Sequence, residues 1–218
     1  MKIIELGRTV TAANDREARE LRRRLKEQGT LLINLMSSPG SGKTTLLSRL
    51  ITDMPDLKIG VMEADIDSAV DAEKIEALGA RAIQVHTGGM CHMDAGMTAQ
   101  ALEELGGQGL DLVFLENVGN LICPAEYDTG AGLCLMILSV PEGDDKPLKY
   151  PLIFRESHGA VISKLDALPY FDFDLEKCRS RIEKLRPGAA VMPVSAKTGQ
   201  GMDRLEAWLR QQLAAWRS

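Results

Sequence analysis

A stretch rich in glycine and hydroxyl residues follows the first apolar run of the chain and has the residue types that bind phosphate. The apolar run is Leu31–Met36, and the stretch is Ser37–Thr45. Glycines let backbone N–H groups curl around phosphate oxygens, a lysine can reach the β and γ phosphates, and a hydroxyl at the next helix start can hold Mg²⁺. A nucleoside triphosphate site is therefore predicted. Its candidate residues are Gly40, Ser41, Gly42, Lys43, Thr44 and Thr45.

Acidic residues stand where two predicted strands end. Glu116 ends the apolar run 110–116, and Asp65 follows the run 57–63. The carboxyl ends of parallel strands meet at the ligand-binding edge of an α/β sheet, so both acids are expected beside the phosphate loop, where they could hold the hydration shell of Mg²⁺ or orient a water. The candidate magnesium ligands are Thr44, Asp65 and Glu116. The candidate catalytic residues are Lys43, Asp65 and Glu116.

Two later stretches predict which base is bound. Ser163–Asp166 resembles the guanine motif Asn-Lys-x-Asp, whose aspartate accepts hydrogen bonds from guanine N1–H and the exocyclic amine, which adenine cannot offer. Ser195–Gly199 resembles the companion loop, in which a backbone N–H meets guanine O6. GTP is therefore expected over ATP. The candidate base-binding residues are Lys164, Asp166, Ser195, Ala196 and Lys197.

One position departs from the guanine motif. Ser163 stands where the motif has asparagine, whose amide normally ties this loop to the phosphate loop. We expect that tie to be missing and the affinity for guanine to be modest.

Two cysteines and a histidine indicate a second kind of chemistry. Cys91 and His92 are adjacent, and Cys123 lies beyond Glu116 in Leu121–Pro124. Thiolates and imidazole suit Zn²⁺ or Ni²⁺ rather than Mg²⁺ or Ca²⁺. Three ligands are too few for a closed structural zinc site, so a site shared between two chains, or one left open for transfer, fits better. On spacing alone, free thiols and an ordinary histidine are the more common explanation.

The apolar runs predict the elements that must hold these residues. Strands are predicted at 31–36, 57–63, 81–86, 110–116, 133–140, 159–163 and 190–194. Helices are predicted after the phosphate loop and at 69–78, 94–105, 174–185 and 202–216, and a loop follows the fifth strand. Continuous apolar strands alternating with helices indicate a three-layer α/β P-loop fold, with a mostly parallel sheet covered by helices on both faces.

The charged stretch 14–28 is predicted to be a surface helix, with Asn14 as its N-cap and Gly29 as its stop. Glutamates interleaved with its arginines favour a salt-bridged solvated face over a nucleic-acid patch. We therefore divide the chain into an N-terminal surface helix and lead-in, residues 1–29, and a P-loop GTPase domain, residues 30–218.

Composition narrows the class of protein further. The 218 residues carry a formal net charge of −5, which gives no broad electrostatic footprint for nucleic acid or an anionic membrane. No run has the length of a transmembrane helix, the first residues do not form a secretory signal, and four cysteines do not make a disulfide scaffold. A cytoplasmic protein without nucleic-acid or membrane partners is expected.

Four stretches together resemble the hydrogenase nickel-incorporation GTPases known as the HypB family, from about residue 10 to the C-terminus. They are Leu35–Thr44, Cys91–Ala95, Glu116–Pro124 and Asp145–Pro151. The Cys-His pair with the downstream Cys-Pro is the most specific of these signals. The related urease accessory GTPases carry a Cys-Pro-His triplet, which this sequence does not contain.

The resemblance implies a dimerising, slowly hydrolysing GTPase and metallochaperone that helps insert nickel into [NiFe]-hydrogenase during maturation. It implies Mg²⁺ with GTP, and Ni²⁺ or Zn²⁺ at a dimer-interface site formed by Cys91, His92 and Cys123. GTP would bring two subunits together and hydrolysis would release them, and Lys149 would reach across the dimer. The implied partners are a nickel-handling accessory protein and the hydrogenase large subunit.

Two alternatives stay open. The chain could be a non-catalytic metal-binding protein, in which the Cys91, His92 and Cys123 site is structural zinc and nucleotide only stabilises the fold. A small-molecule kinase would need an acceptor pocket, and the stretch 163–166 counts against it because kinases seldom select guanine.

Overall fold

The computed structural model describes residues 7–64 and 70–218. Its strands are β1 (Leu31–Ser37), β2 (Ile59–Glu63), β3 (Arg81–Gln84), β4 (Leu112–Glu116), β5 (Leu133–Ser139), β6 (Gly159–Ser163) and β7 (Ala190–Pro193). Within the described ranges they form one sheet in the order β3-β2-β4-β1-β5-β6-β7, and every neighbouring pair is parallel. All strand carboxyl ends therefore meet at one edge. The predicted α/β fold class is confirmed, and the sheet is parallel throughout rather than mostly so.

The helices are α1 (Gly7–Gln28), α2 (Lys43–Asp53), α3 (Val70–Ala77), α4 (Ala95–Glu104), α5 (Lys146–Lys149), α6 (Pro151–Glu156), α7 (Leu175–Leu185) and α8 (Met202–Arg217). Short 3₁₀ turns lie at Cys123–Ala125, Val140–Glu142 and Leu165–Tyr170. None of the described helices combines the length and apolar character that a bilayer crossing requires.

The sheet is buried on both faces because successive residues of its central strand are apolar. Leu31, Ile33 and Leu35 of β1 pack with α2 and α8, whereas Leu32 packs with α1 and α4. Met36, also on the second face, joins the cluster that contains residues of α6 and α7. Helices thus cover both faces and give three layers, which explains why the strands are continuous apolar runs rather than alternating ones.

The first helix is longer than predicted, and Asn14 is not its N-cap. The helix begins at Gly7, so Asn14 lies inside it, and the Asn14 side chain is used for tertiary contacts instead. Its Nδ2 donates to the carbonyl of Asp128 at 2.9 Å, and its Oδ1 accepts from the backbone N–H of Ala95 at 2.9 Å. The predicted stop at Gly29 holds, since its φ is 70°, a conformation that favours glycine.

The segment predicted as a loop after the fifth strand contains two short helices, α5 and α6. Pro147 and Pro151 each occupy the first turn of one of these helices, where proline's fixed φ is favourable and its missing N–H costs nothing. Lys149 therefore lies on α5. Its Nζ is 2.6 Å from Oδ2 of Asp145, in an exposed pair one turn apart.

Candidate functional site

A cavity of about 480 Å³ opens at the carboxyl edge of the sheet. Its walls come from the phosphate loop, from Ala64 after β2, from the segment Glu116–Gly119 that ends and follows β4, and from Lys164 after β6. The phosphate loop, the magnesium candidates Thr44 and Glu116, and Lys164 of the base-binding set are therefore brought to one place, whereas Asp166 and residues 195–197 do not line this cavity. Asp65, predicted as a magnesium and catalytic residue, lies outside the described residues.

The phosphate loop has the backbone conformation that its glycines predict. Gly40 and Gly42 have φ values of 71° and 96°, in the left-handed region that other L-residues rarely adopt. Gly42 is also the N-cap of α2, so the N–H groups of the first turn, including those of Thr44 and Thr45, point out of the helix start. This end of the helix carries positive partial charge and suits an anion.

The side chain of Lys43 is held in place by a serine. Its Nζ donates to Oγ of Ser37 at 2.9 Å, and Oγ of Ser41 donates to the same oxygen at 2.7 Å. Lys43 Nζ also lies 3.7 Å from Oε1 of Glu116, and both side chains are largely buried. The hydroxyl of Ser37, where the phosphate-loop pattern usually has glycine, thus positions the lysine before any phosphate arrives.

The expectation that Ser163 breaks the tie between the base loop and the phosphate loop is wrong. Its hydroxyl donates to the carbonyl of Ser41 at 2.7 Å, and the bond is buried. A second tie comes from Lys164, whose Nζ donates to the carbonyl of Gly40 at 2.6 Å. Lys164 adopts a φ of 57°, and among the described residues it alone is a non-glycine with positive φ. Only β5 lies between β1 and β6 in the sheet, so the end of β6 is close enough for the Ser163 hydroxyl to reach the phosphate loop.

The aspartate predicted to bind guanine is held by the companion loop. Oδ1 of Asp166 accepts from Oγ of Ser195 at 2.6 Å. This hydrogen bond is the main reason that the pKa of Asp166 lies below its ordinary value, and the charges of Lys197 and Lys164 lower that pKa further. The carboxylate is therefore kept ionised, as an acceptor for two N–H groups must be. Ala196 and Lys197 follow Ser195 in the loop beyond β7, where Lys197 is exposed.

The structure brings Cys123 beside Cys91, but it does not bring the three predicted metal ligands together as one group. Sγ of Cys91 lies 3.8 Å from Nδ1 of His92, and the His92 ring stacks on Tyr127 with centroids 3.7 Å apart and planes 11° from parallel. Cys123 begins a 3₁₀ turn, and hydrogen bonding with its thiol is the main cause that raises the pKa of the Cys91 thiol. Two thiols and an imidazole are donors that suit nickel or zinc.

A closed metal site is not formed by one copy of the described chain. Among residues 7–64 and 70–218, no three His, Cys, Asp or Glu side chains converge as a metal-binding group. Cys91 is exposed and Cys123 half-buried, so their thiols are accessible from outside. The donor types fit the predicted metals, and the geometry leaves the set open.

Two asparagines without an assigned role in the sequence analysis hold the metal loops: Asn117 connects the Cys91 loop to the nucleotide cavity, and Asn120 connects the two metal loops to each other. Asn117 is buried; its Oδ1 accepts from the N–H of Met93 at 3.2 Å, and its Nδ2 donates to Oδ1 of Asn34 at 3.0 Å. Asn120 donates from Nδ2 to the carbonyl of Cys91 at 3.0 Å and accepts from the N–H of Cys123 at 3.1 Å. Both lie in the stretch Glu116–Pro124 that carries part of the family resemblance, but the sequence gives no sign of the groups that these amides contact.

Comparison with known proteins gives a family match for most of the chain. Residues 31–193 match the family described as CobW/HypB/UreG, nucleotide-binding domain. The hydrogenase maturation factor HypB of Rhizobium leguminosarum bv. viciae is 44% identical over 209 residues, covering 95% of this chain and 70% of that protein.

Two solved structures are similar along nearly the whole chain. The crystal structure of HypB from Helicobacter pylori in complex with nickel has a TM-score of 0.88 and 37% identity, covering 93% of this chain and 96% of that one. The hydrogenase maturation factor HypB of Archaeoglobus fulgidus has a TM-score of 0.86 and 37% identity, covering 93% of this chain and 99% of that one.

Proposed function

The chain is a hydrogenase maturation factor that belongs to the HypB members of the CobW/HypB/UreG nucleotide-binding family, and from that premise we propose that GTP binding and hydrolysis control a nickel site shared between two copies. The observation that carries the proposal is the cavity that Lys43, Glu116 and Lys164 line together, from three different strand ends. A phosphate-binding lysine, an acid and a base-contacting lysine are the parts that a GTPase needs in one place.

Each candidate residue has a place in this proposal. The phosphates bind Gly40, Ser41, Gly42, Lys43, Thr44 and Thr45. Guanine binds Lys164, Asp166, Ser195, Ala196 and Lys197. Mg²⁺ fits the hydroxyl and carboxylate donors of Thr44, Asp65 and Glu116, and when bound it neutralises charge on the β and γ phosphates.

Three side chains of this chain take part in GTP hydrolysis in this proposal. Lys43 exchanges its bond to the Ser37 hydroxyl for the phosphate oxygens, and its ammonium stabilises the charge that develops on them. Glu116 and Asp65 orient the attacking water. Among the described residues that line the cavity there is no arginine, so slow intrinsic turnover is part of the proposal.

Nickel is cargo in this scheme, held by Cys91, His92 and Cys123. Within one copy of the described chain no three donors converge, so the proposal needs a second copy to complete the coordination, and a homodimer is part of it. The nickel bound in the Helicobacter pylori crystal structure supports the choice of metal, and Zn²⁺ would suit the same donors. In this proposal Lys149, which is exposed on α5, reaches across the dimer.

The proposal includes partners and a compartment. Hydrogenase maturation requires a protein that supplies or accepts nickel, so a nickel-handling accessory protein and the hydrogenase large subunit are the partners. A cytoplasmic location fits, because GTP and reduced thiols are both found there. The alternative, a non-catalytic protein with structural zinc, would make metal content independent of nucleotide.

Sizing with metal analysis tests the proposal. The full chain is incubated with GDP or a non-hydrolysable GTP analogue, with or without Ni²⁺ or Zn²⁺, and its mass and metal content are measured. We expect a dimer with the GTP analogue, holding metal that is lost in Cys91→Ala. Cys134→Ala is the matched control, since burial raises the pKa of Cys134 to about 11 and keeps it a protonated, poor ligand. A monomer whose metal content ignores nucleotide and Cys91 would overturn the proposal.

A further inference from the structure

The two cysteines of the candidate nickel site stand on different loops, and several side chains hold those loops together, among them Asn120. Cys91 lies between β3 and α4, and Cys123 lies beyond β4. The distance between the thiols therefore depends on how the two loops are held together. Asn120 is the residue whose side chain bonds to the backbone of both cysteines.

The Asn120 amide uses both of its ends. Nδ2 donates to the carbonyl oxygen of Cys91 at 3.0 Å, while Oδ1 accepts from the backbone N–H groups of Ile122 at 2.8 Å and Cys123 at 3.1 Å. The partners fix which atom is which, because a carbonyl can only accept and an N–H can only donate. An amide is the side chain that supplies a donor and an acceptor at this separation, so aspartate and serine would each lose part of the arrangement.

The backbone that carries Asn120 also touches the phosphate loop. A Cβ added at Gly119 would lie 3.0 Å from Cγ and 3.2 Å from the nitrogen of Pro39, so the chain passes closely against Pro39 and a side chain there would displace it. Gly119 also lines the nucleotide cavity, whereas Asn120 is not among the lining residues. A shift of the phosphate loop would therefore move Gly119 and, with it, the amide of Asn120.

We propose that Asn120 is a positioning residue that sets the separation of Cys91 and Cys123 and passes changes at the phosphate loop to the nickel site. The inference rests on the proposed function, since it assigns regulation to the same site. Groups that orient metal ligands commonly change metal affinity by roughly 10- to 100-fold when they are removed. The same residue would then carry the coupling by which nucleotide changes nickel affinity and nickel changes nucleotide affinity by an equal factor.

Nickel titrations of Asn120→Ala test the inference. The binding is followed by the thiolate-to-nickel absorption band, in GDP and in a non-hydrolysable GTP analogue, with thermal unfolding of the metal-free protein alongside. We expect nickel affinity to fall about tenfold or more and the ratio between the two nucleotide states to approach one. The band at saturating nickel should also weaken, which a general loss of stability would not produce.

A variant of Thr87 provides the matched control. Its hydroxyl donates to the carbonyl of Met90 at 2.7 Å, within the Cys91 loop, so Thr87→Val removes one hydrogen bond without separating the two loops. We expect this variant to keep the nucleotide dependence of nickel binding. The inference is overturned if Asn120→Ala binds nickel as the unaltered protein does, or if Thr87→Val loses as much affinity and coupling. If the unaltered protein itself shows no nickel band dependent on Cys91, the proposed function has failed instead.

Discussion

The hydroxyl of Ser163 donates a buried hydrogen bond to the carbonyl oxygen of Ser41 across 122 positions of sequence. Ser163→Ala removes this tie and leaves a buried carbonyl without that donor. We expect GDP affinity to fall about fivefold, which corresponds to about 1 kcal/mol for one hydrogen bond. Equilibrium titration with a fluorescent GDP analogue measures the change.

A second serine serves as the control for this substitution. The hydroxyl of Ser157 donates to the carbonyl of Ile153 at 2.6 Å, is also buried, and lies outside the nucleotide cavity. Ser157→Ala should lower the free energy of unfolding and leave GDP affinity unchanged. Equal GDP affinities in Ser163→Ala and the unaltered chain would show that the tie does not support the site.

The pH dependence of guanine binding should report the Ser195–Asp166 contact. Because the Ser195 hydroxyl holds the pKa of Asp166 below its ordinary value, the ionised, binding-competent form persists as pH falls and is lost only below that range. Ser195→Ala raises the pKa of Asp166 towards the ordinary value, so the acid limb of GDP binding moves to higher pH. Dissociation rates of a fluorescent GDP analogue between about pH 2.5 and 5 measure the limb.

A variant of Asp174 serves as the control, because it changes a carboxylate with a lowered pKa that lies outside the proposed guanine site. Its pKa is also lowered, chiefly by the backbone N–H of Lys177 at the start of α7. Asp174→Asn should leave the acid limb of GDP binding in place. An acid limb that coincides in Ser195→Ala and the unaltered protein would contradict the assignment.

Glu116 should matter for hydrolysis more than for holding GDP. Glu116→Gln keeps the size of the side chain and removes the charge that faces Lys43 across 3.7 Å. We expect the turnover number for GTP to fall at least tenfold, in the range typical for loss of a group that orients or activates a nucleophile. GDP binding without Mg²⁺ should be retained, since the substitution removes a negative charge from beside the phosphates. Glu104→Gln, on the exposed face of α4, is the control, and equal turnover in both variants would contradict the role of Glu116.

Asn14 should contribute to stability through α1. Asn14→Ala removes the bonds to Asp128 and Ala95, which costs more than the helix gains from alanine, so we expect a loss of about 1 to 2 kcal/mol in the free energy of unfolding. Denaturant unfolding of the nucleotide-free protein measures it. Arg19→Ala, exposed on the same helix, should change the value by less than about 0.5 kcal/mol.

The fold was largely predictable because its signals are local. Strands such as β6 are uninterrupted apolar runs, and α4 and α7 begin one residue after Asp94 and Asp174, whose side chains accept from Met97 and Lys177. The short helices α5 and α6 were not predicted, because proline occurs both in the first turn of a helix and in turns, so Pro147 and Pro151 do not distinguish the two.

The candidate site was predictable where its chemistry follows from consecutive residues. The glycines and lysine of the phosphate loop are such a case, whereas the Ser163–Ser41 bond joins segments that meet only through strand order. The contacts of the Asn117 and Asn120 amides could not be predicted for a similar reason, since their partners are distant in the sequence. Asparagine in a connecting segment is usually a turn residue, and only the packing of the two loops reveals its partners.

The order of the strands places the candidate metal loops and the candidate base loops on either side of β1. The loops that carry Cys91 and Cys123 leave the sheet from β3 and β4, whereas Lys164 and Ser195 follow β6 and β7 on the opposite flank. We therefore expect that substitutions on one flank can change the metal that is bound without changing the base that is bound. Members of a nucleotide-binding family that bind different metals would then need to differ on only one side of the sheet. The stretch Glu116–Cys123 would be constrained by both the nucleotide site and the metal site.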